Sequence, residues 1–188
     1  MTRWEFEPGH TAAEFRAKHM MVTWVRGLFK DVHGVVDLDF DNPTGSSFEA
    51  EIDATRLWTG EPERDAHLRS ADFFDVEHHP RITFKSTRVE QVGSVLYKVT
   101  GDLTIRGVTR PVTLDVHYLG QWETPYWVDG VNRGVMHRVG FSATTRINRH
   151  DFGVSWNDQL DKGGVVVSDE VFVSLDVEAI LAEDLAQA

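Results

Sequence analysis

Residues 95–118, VLYKVTGDLTIRGVTRPVTLDVHY, hold two consecutive runs with a period of two. Val95, Tyr97, Val99, Leu103 and Ile105 alternate with Leu96, Lys98, Thr100, Asp102, Thr104 and Arg106. Val112, Leu114, Val116 and Tyr118 then alternate with Thr113, Asp115 and His117. Successive side chains of a strand point to opposite faces, so each run is a strand with one apolar and one wet side. Gly107 between them marks a tight connection. One-sided alternation belongs to antiparallel sheets, because parallel strands covered on both faces read as unbroken apolar runs.

The same rhythm returns outward from this stretch, making eight strands in all. A first strand runs over 13–18, with Ala13, Phe15 and Ala17 on one face. Residues 19–25 break the period and read as a short helix or turn. A second strand runs over 28–40, with Leu28, Val32, Val36, Leu38 and Phe40 on its apolar face and Gly34 as a bend or bulge. Further strands cover 48–53, 82–84, 139–147 and 171–177. Residues 41–45 form a loop, 63–74 suit one or two short helices, and 121–137 read as a polar and aromatic loop. The tail, 179–188, has room for one or two helical turns. No repeat or linker divides residues 1–188, which read as a single β domain. Eight such strands hide their apolar face by closing into a barrel or stacking as a sandwich.

The chain has 188 residues, of which 41% are hydrophobic and 26% charged, ordinary values for a folded domain with its own core. A net charge of −11 disfavours nucleic acid and anionic membrane as main partners, since both need a basic face. The lack of cysteine removes disulfides, thiolate catalysis and Cys-based metal sites. The N-terminus, MTRWEFEP, has no apolar signal core, and no apolar run approaches the ~18 residues of a membrane span. A cytoplasmic protein without stable membrane insertion is the expectation.

Four sets of residues carry a family resemblance. Lys18-His19-Met20-Met21-Val22 leads to Val25-Arg26-Gly27-Leu28-Phe29. Thr59-Gly60 precedes the run from Arg64 to Asp75, RDAHLRSADFFD, and then Pro80-Arg81-Ile82-Thr83-Phe84. Third is the run from Gly101 to Val112, GDLTIRGVTRPV; last come Gly140-Phe141-Ser142 and Ile147-Asn148-Arg149-His150-Asp151-Phe152-Gly153. In order and over roughly residues 4–178, these segments resemble the YceI-like, polyisoprenoid-binding family. The resemblance implies an extended, lipocalin-like antiparallel barrel of eight strands. It also implies an elongated apolar tunnel for an isoprenoid chain such as a polyprenol or a quinone tail.

The residues themselves are compatible with such a tunnel. The proposed inner faces offer Phe15, Leu28, Val32, Val36, Phe48 and Ile52 from the first half of the chain. Ile82, Phe84, Val99, Leu103, Leu114 and Phe141 follow from the second. A prenyl chain makes no hydrogen bonds, so its site needs only apolar walls and shape. Burial contributes roughly 0.8 kcal/mol per CH₂, or about 4 kcal/mol per five-carbon unit. The other reading of the same residues is a filled core, acting only through protein contacts.

Polar candidates are few. Arg64, Asp65 and His67, with His19 and Arg149, are placed at the tunnel mouth. There they either hold a phosphate or quinone head group or fasten the interrupting helix to the rim. Asp151 is expected to pair with Arg149 or cap a turn. Nine histidines show no HExxH or HxH spacing, so no metal and no cofactor is expected. No G-x-S-x-G elbow or phosphate-cradling glycine loop occurs, which counts against catalysis. An enzyme acting on an apolar substrate, centred on Asp65 and His67, stays as the alternative to a non-catalytic carrier or store. The aromatic loop around Trp122, Tyr126 and Trp127 suits a lid, a dimer contact or a membrane-touching tip. A barrel rim or open sheet edge favours a homodimer.

Overall fold

Strand β10, Val167–Leu181, closes the sheet on itself. The computed structural model describes residues 1–161 and 163–186. Before β10 come β1 Thr2–Phe6, β2 Ala12–His19, β3 Thr23–Phe29, β4 Val32–Leu38 and β5 Ser47–Asp53. Next are β6 Arg81–Gln91, β7 Leu96–Ile105, β8 Val108–Val128 and β9 Val131–Asn148. They form one antiparallel sheet in the order β1-β4-β5-β6-β7-β8-β9-β10-β2-β3, and β1 pairs with β10 as well. β1 and β2 lie end to end along β10, and β4 and β3 lie end to end along them. Counted as two bent strands, these four complete a closed eight-stranded barrel.

The bend has a consequence for every side chain near it. Phe6 faces Ala179 and Ala12 faces Asp176, so the five residues 7–11 stand opposite only 177 and 178. This odd surplus exchanges the faces: Trp4 points inward before it, Ala13 and Phe15 after it. Beside it, Asp31 in the left-handed region (φ 65°) does the same between β3 and β4. Phe29 and Val32 are both buried as a result, while Leu28 turns outward. The expected single strand over 28–40, with its even positions inside, is therefore corrected: the inner face is even only from Val32 on. Of the helix or turn expected over 19–25, the turn is what forms, confined to 20–22 and followed directly by β3. β1 was not anticipated, and residues 121–137 are not a loop but the extended end of the β8–β9 hairpin. Pro125 sits at an irregularity in that ladder. In the tail, residues 179–181 still belong to β10. The helix α2 spans Ala182–Leu185, and Gln187 and Ala188 lie outside the described residues.

One end of the barrel is covered by residues 54–80. Their helix α1, Pro62–Arg69, starts where expected for its chemistry: Pro62 needs no N–H partner, and the Glu61 carboxylate accepts from Glu63 N (3.3 Å) and Arg64 N (2.6 Å). This cover also protects the free edge of β3, since Leu28 and Trp58 exchange both backbone hydrogen bonds. We call this the cap end. The opposite end carries the β8–β9 hairpin and α2.

Inside, three phenylalanine rings lie over glycines. Phe15 covers its cross-strand partner Gly27, Phe6 covers Gly34, and Phe84 covers Gly101. A Cβ at Gly101 would stand 2.5 Å from both Phe84 Cζ and the Lys85 carbonyl oxygen of β6. Because that oxygen belongs to the ladder, Gly101→Ala is expected to cost about 1–3 kcal/mol, the usual range for overpacking. Thermal unfolding should register a fall of several degrees; an unchanged Tm would contradict the close β6–β7 approach.

At the other end, His137 Nδ1 lies 2.9 Å from Asp184 Oδ2, tying β9 to α2. The hydrogen bond to Asp184, with smaller charge effects from Asp184 and Glu123, raises the His137 pKa above its usual 6.5. The tie thus stabilises fully below the unfolded-state pKa and fades as pH rises through the higher folded-state one. In an NMR titration the His137 midpoint should lie above 6.5 and move down in Asp184→Asn.

Candidate ligand cavity

The inner faces enclose a cavity of about 220 Å³. Ten of the twelve anticipated wall residues border it: Phe15, Val36, Phe48, Ile52, Ile82, Phe84, Val99, Leu103, Leu114 and Phe141. Leu28 does not, because of the exchange of faces at Asp31. Val32 is fully buried but packs beside Ala54 and Leu57, away from the cavity. Nine of the chain's eleven phenylalanines reach the wall, which makes the lining aromatic as well as aliphatic. Phe6 was missed with β1, and Phe29 with the parity of β3. Phe73, Phe74 and Phe152 come from segments without a period of two. There the only signal was an apolar pair, Phe73-Phe74, inside an otherwise polar stretch.

The cap end is held together by guanidinium groups on backbone carbonyls. Arg69 donates to Thr55 O (2.8 Å) and to Leu57 O, and Arg106 Nη1 donates to Phe73 O (2.9 Å) and Gly153 O (3.2 Å). Arg64 donates to the Thr59 hydroxyl (2.8 Å) and carbonyl (3.0 Å). Asp65, buried on the same helix, accepts from Thr59 N (2.8 Å) and Oγ1 (2.5 Å). Arg64 and Asp65 therefore fasten the cap and do not border the cavity. His67 bonds Asp72 (2.8 Å) and meets the Phe73 and Trp156 rings edge-on. His19 ends β2 opposite Thr23 and Val167 and stays off the wall.

Arg149 alone of the five reaches the cavity, and it is only 4% exposed. Its Nε donates to Ser168 O (2.9 Å), Nη1 to Val154 O and Trp156 O (both 2.8 Å), and Nη2 to Val167 O (3.3 Å). Nη2 also lies 3.8 Å from Asp169 Oδ1. Four of its five N–H groups thus donate to backbone carbonyls, and the side chain joins three segments of the barrel end. Burial lowers its pKa, partly offset by Asp169. Asp151 is exposed and plays no part; Asn148 Oδ1 caps this turn by accepting from His150 N (3.0 Å).

Toward the hairpin end the main cavity meets a second apolar space of about 60 Å³, bordered by Phe40, Tyr97 and Tyr118 among others. Phe48, Val116 and Phe141 belong to both walls. Phe48 and Phe141 pack edge to face there, with centroids 5.8 Å apart. These two rings stand in the wall that the two spaces share.

Residues 4–179 match the family model for the YceI-like domain. The chain belongs to the YceI-like family. Protein YceI of Escherichia coli O157:H7 is 37% identical over 174 residues, covering 93% of this chain and 83% of that protein. Among solved structures, BcnA of Burkholderia cenocepacia has a TM-score of 0.76 at 24% identity, over 92% of this chain and 98% of that one. A polyisoprenoid-binding domain from Saccharophagus degradans, implicated in plant cell wall breakdown, has a TM-score of 0.64 at 13% identity, over 96% and 99%. At these identities the structures show the fold: the YceI-like barrel.

Outside the barrel of this YceI-like chain, Glu7, His10 and Glu178 converge at the bend between β1 and β2. His10 Nδ1 lies 2.5 Å from Glu7 Oε2 and 3.6 Å from Glu178 Oε1, and Arg138 already neutralises Glu178. This group is a polar cluster across the seam, with Arg138–Glu178 as its ion pair.

Replacing Arg149 by lysine keeps the charge but removes the planar fork, leaving two or more carbonyls without a donor. At about 1–3 kcal/mol for each unsatisfied buried group, Arg149→Lys should destabilise by about 3 kcal/mol or more. Denaturant unfolding measures this; a loss under about 1 kcal/mol would contradict the structural role.

Proposed function

We propose that this protein binds an isoprenoid chain, a polyprenol or quinone tail or a similar long apolar molecule, and carries or stores it without chemical change. One observation carries the reading: the cavity wall is apolar, and its one buried cation is held by four hydrogen bonds to the barrel's own carbonyls. With four carbonyl bonds and the Asp169 carboxylate 3.8 Å from Nη2, Arg149 is committed to the barrel end rather than to a substrate group. A structural neighbour described as polyisoprenoid-binding supports the same ligand class. The alternative centre for catalysis has little to offer, since Asp65 is committed to Thr59 and His67 to Asp72.

Size decides what must move. An apolar cavity of ~150 Å³ holds benzene, so about 220 Å³ takes roughly nine carbons, or about two isoprene units. Their burial contributes about 7 kcal/mol, against an association cost of about 4–15 kcal/mol. Tight binding of a longer chain therefore requires the interior to widen as the Phe48–Phe141 pair parts, because the second space by itself adds only about 60 Å³.

The first test is native mass spectrometry of freshly purified protein with organic extraction of whatever is released. A stoichiometric isoprenoid is expected. An empty protein that takes up neither solanesol nor a long-chain quinone would leave the filled-core reading. Phe141→Leu should shift uptake toward longer prenyl chains while lowering Tm by a few degrees. An unshifted chain-length preference would show that the ring pair is no partition.

A further inference from the structure

The β2–β3 hairpin carries features that neither the barrel nor its cavity requires. Its turn is Met20-Met21-Val22, and all three are exposed, Val22 at 85%. Met20 and Met21 both occupy the left-handed region, with φ of 48° and 62°. Turns of this kind favour Asn and Gly, which adopt positive φ with little strain and are polar or neutral toward water. Here two bulky apolar residues stand in those positions at the tip of the fold.

Behind the tip lies a cationic face. Lys18 pairs with Trp24 one step back, and Arg16 pairs with Arg26 one step further. The Arg16 row continues onto Phe172 of β10 and Arg146 of β9, giving Arg26–Arg16–Phe172–Arg146 across four strands. Arg16 lies 4.9 Å from the Phe172 ring and 5.2 Å from Trp24, and Arg146 stacks 4.3 Å from Phe172. Like charges directly opposite in a ladder are unfavourable. Glu14 sits 3.5 Å from Arg26 and Glu170 3.7 Å from Arg146. Among the described residues, Arg16 and Lys18 have no carboxylate within 4.0 Å. Asp115, which borders the same surface, is paired with Lys98 at 2.7 Å, and Asp158 and Asp161 belong to the adjoining loop that bonds Met20 N through Val166 O; Arg16 and Lys18 are the cations left over on the strand face. This concentration stands on a chain of net charge −11.

We propose that this hairpin docks the barrel on an anionic phospholipid surface, with Met20, Met21 and Val22 inserted and the cations in the head-group layer. At ~3.3 Å per residue, Lys18 and Trp24 lie about 7 Å behind Met20, and Arg16 and Arg26 about 13 Å. An apolar tip sunk ~5–10 Å past the head-group boundary places Trp24 and Lys18 at that boundary, and long arginine side chains reach back to it. The cavity wall extends to Ala17 and Val167, each next to the His19 rung of this hairpin. Docking there brings the cap end of the cavity to the source of the ligand, a consequence that rests on the isoprenoid reading above.

The test is co-flotation with vesicles of equal phosphatidylglycerol and phosphatidylcholine, compared with phosphatidylcholine alone. The protein should float with the anionic vesicles, at least tenfold more than with neutral ones, and 0.5 M salt should release it. Met21→Glu with Val22→Glu, and separately Arg16→Gln with Lys18→Gln, should each weaken flotation about tenfold without changing Tm. Equal flotation on neutral vesicles, or full flotation of both variants, overturns the proposal. So does a loss confined to Trp122→Ser with Trp127→Ser, which would move the contact to the opposite end. Solanesol uptake from detergent micelles, without vesicles, is measured in parallel. Variants that lose uptake from vesicles but keep it from micelles support docking. A wild-type protein that floats but takes up no solanesol from micelles defeats the isoprenoid reading and leaves the surface contact standing.

Discussion

Everything in this barrel depends on β10 being paired along both edges. Its central part bonds β9 and β2, and its last residues bond β1, so the sheet has no free seam along this strand. The seam crosses the bend, where residues 7–11 loop out of the ladder. There Thr11, fully buried, takes over the missing rungs: its hydroxyl donates to Glu178 O (3.2 Å) and accepts from Glu178 N (3.3 Å). Glu7 N adds a third bond to Glu178 O (2.8 Å). A closed ring satisfies each backbone group through a neighbour, and an unsatisfied buried group costs about 1–3 kcal/mol. One threonine hydroxyl thus lets the strand bend and exchange faces without opening the ring.

Closure also dictates how the ends are finished. Strands that converge on a cap leave carbonyls pointing into loops, where no ladder partner exists. Arg64, Arg69, Arg106 and Arg149 answer that need, each donating to loop carbonyls. Guanidinium suits the task because its five donors are fixed in one plane. The polar chemistry of this end is consumed in holding Leu68, Phe73 and Phe74 over the cavity.

Much of this was legible in the sequence, and for a physical reason. Period-two alternation is imposed by the strand itself, so β5, β7, β8 and β10 could be read from their apolar residues, as could the inward set from Val99 to Leu114. The family resemblance, resting on long ordered motifs, settled barrel against sandwich. What escaped was whatever an insertion controls. One residue, Asp31, inverted the assignment of Leu28, and Pro125 disguised a strand as a loop because prolines are usually breaks. The cavity-facing Phe73 and Phe74 lie in turns that follow α1, where no periodicity exists to expose them. The role of Arg149 was hidden too, since a carbonyl-bound arginine and a ligand-binding one look alike in sequence.

The rings that rest on Gly27, Gly34 and Gly101 bear on how such a barrel changes over evolutionary time. Strand number and shear fix the spacing of the backbone, and that is hard to alter by small steps. A glycine with a ring laid across it is a local exception: the missing Cβ lets the phenyl group sit closer to the backbone than any packed side chain could. At Gly27, where a Cβ would meet only the Phe15 ring, exchanging both members together, a larger residue for the glycine and a smaller one for the phenylalanine, moves the wall without disturbing the ladder; at Gly34 and Gly101 a ladder carbonyl also stands 2.5 Å away and holds the glycine fixed. The bore is thereby adjustable at Gly27 and fixed at the other two, and barrels with one frame can come to hold molecules of different girth near that point.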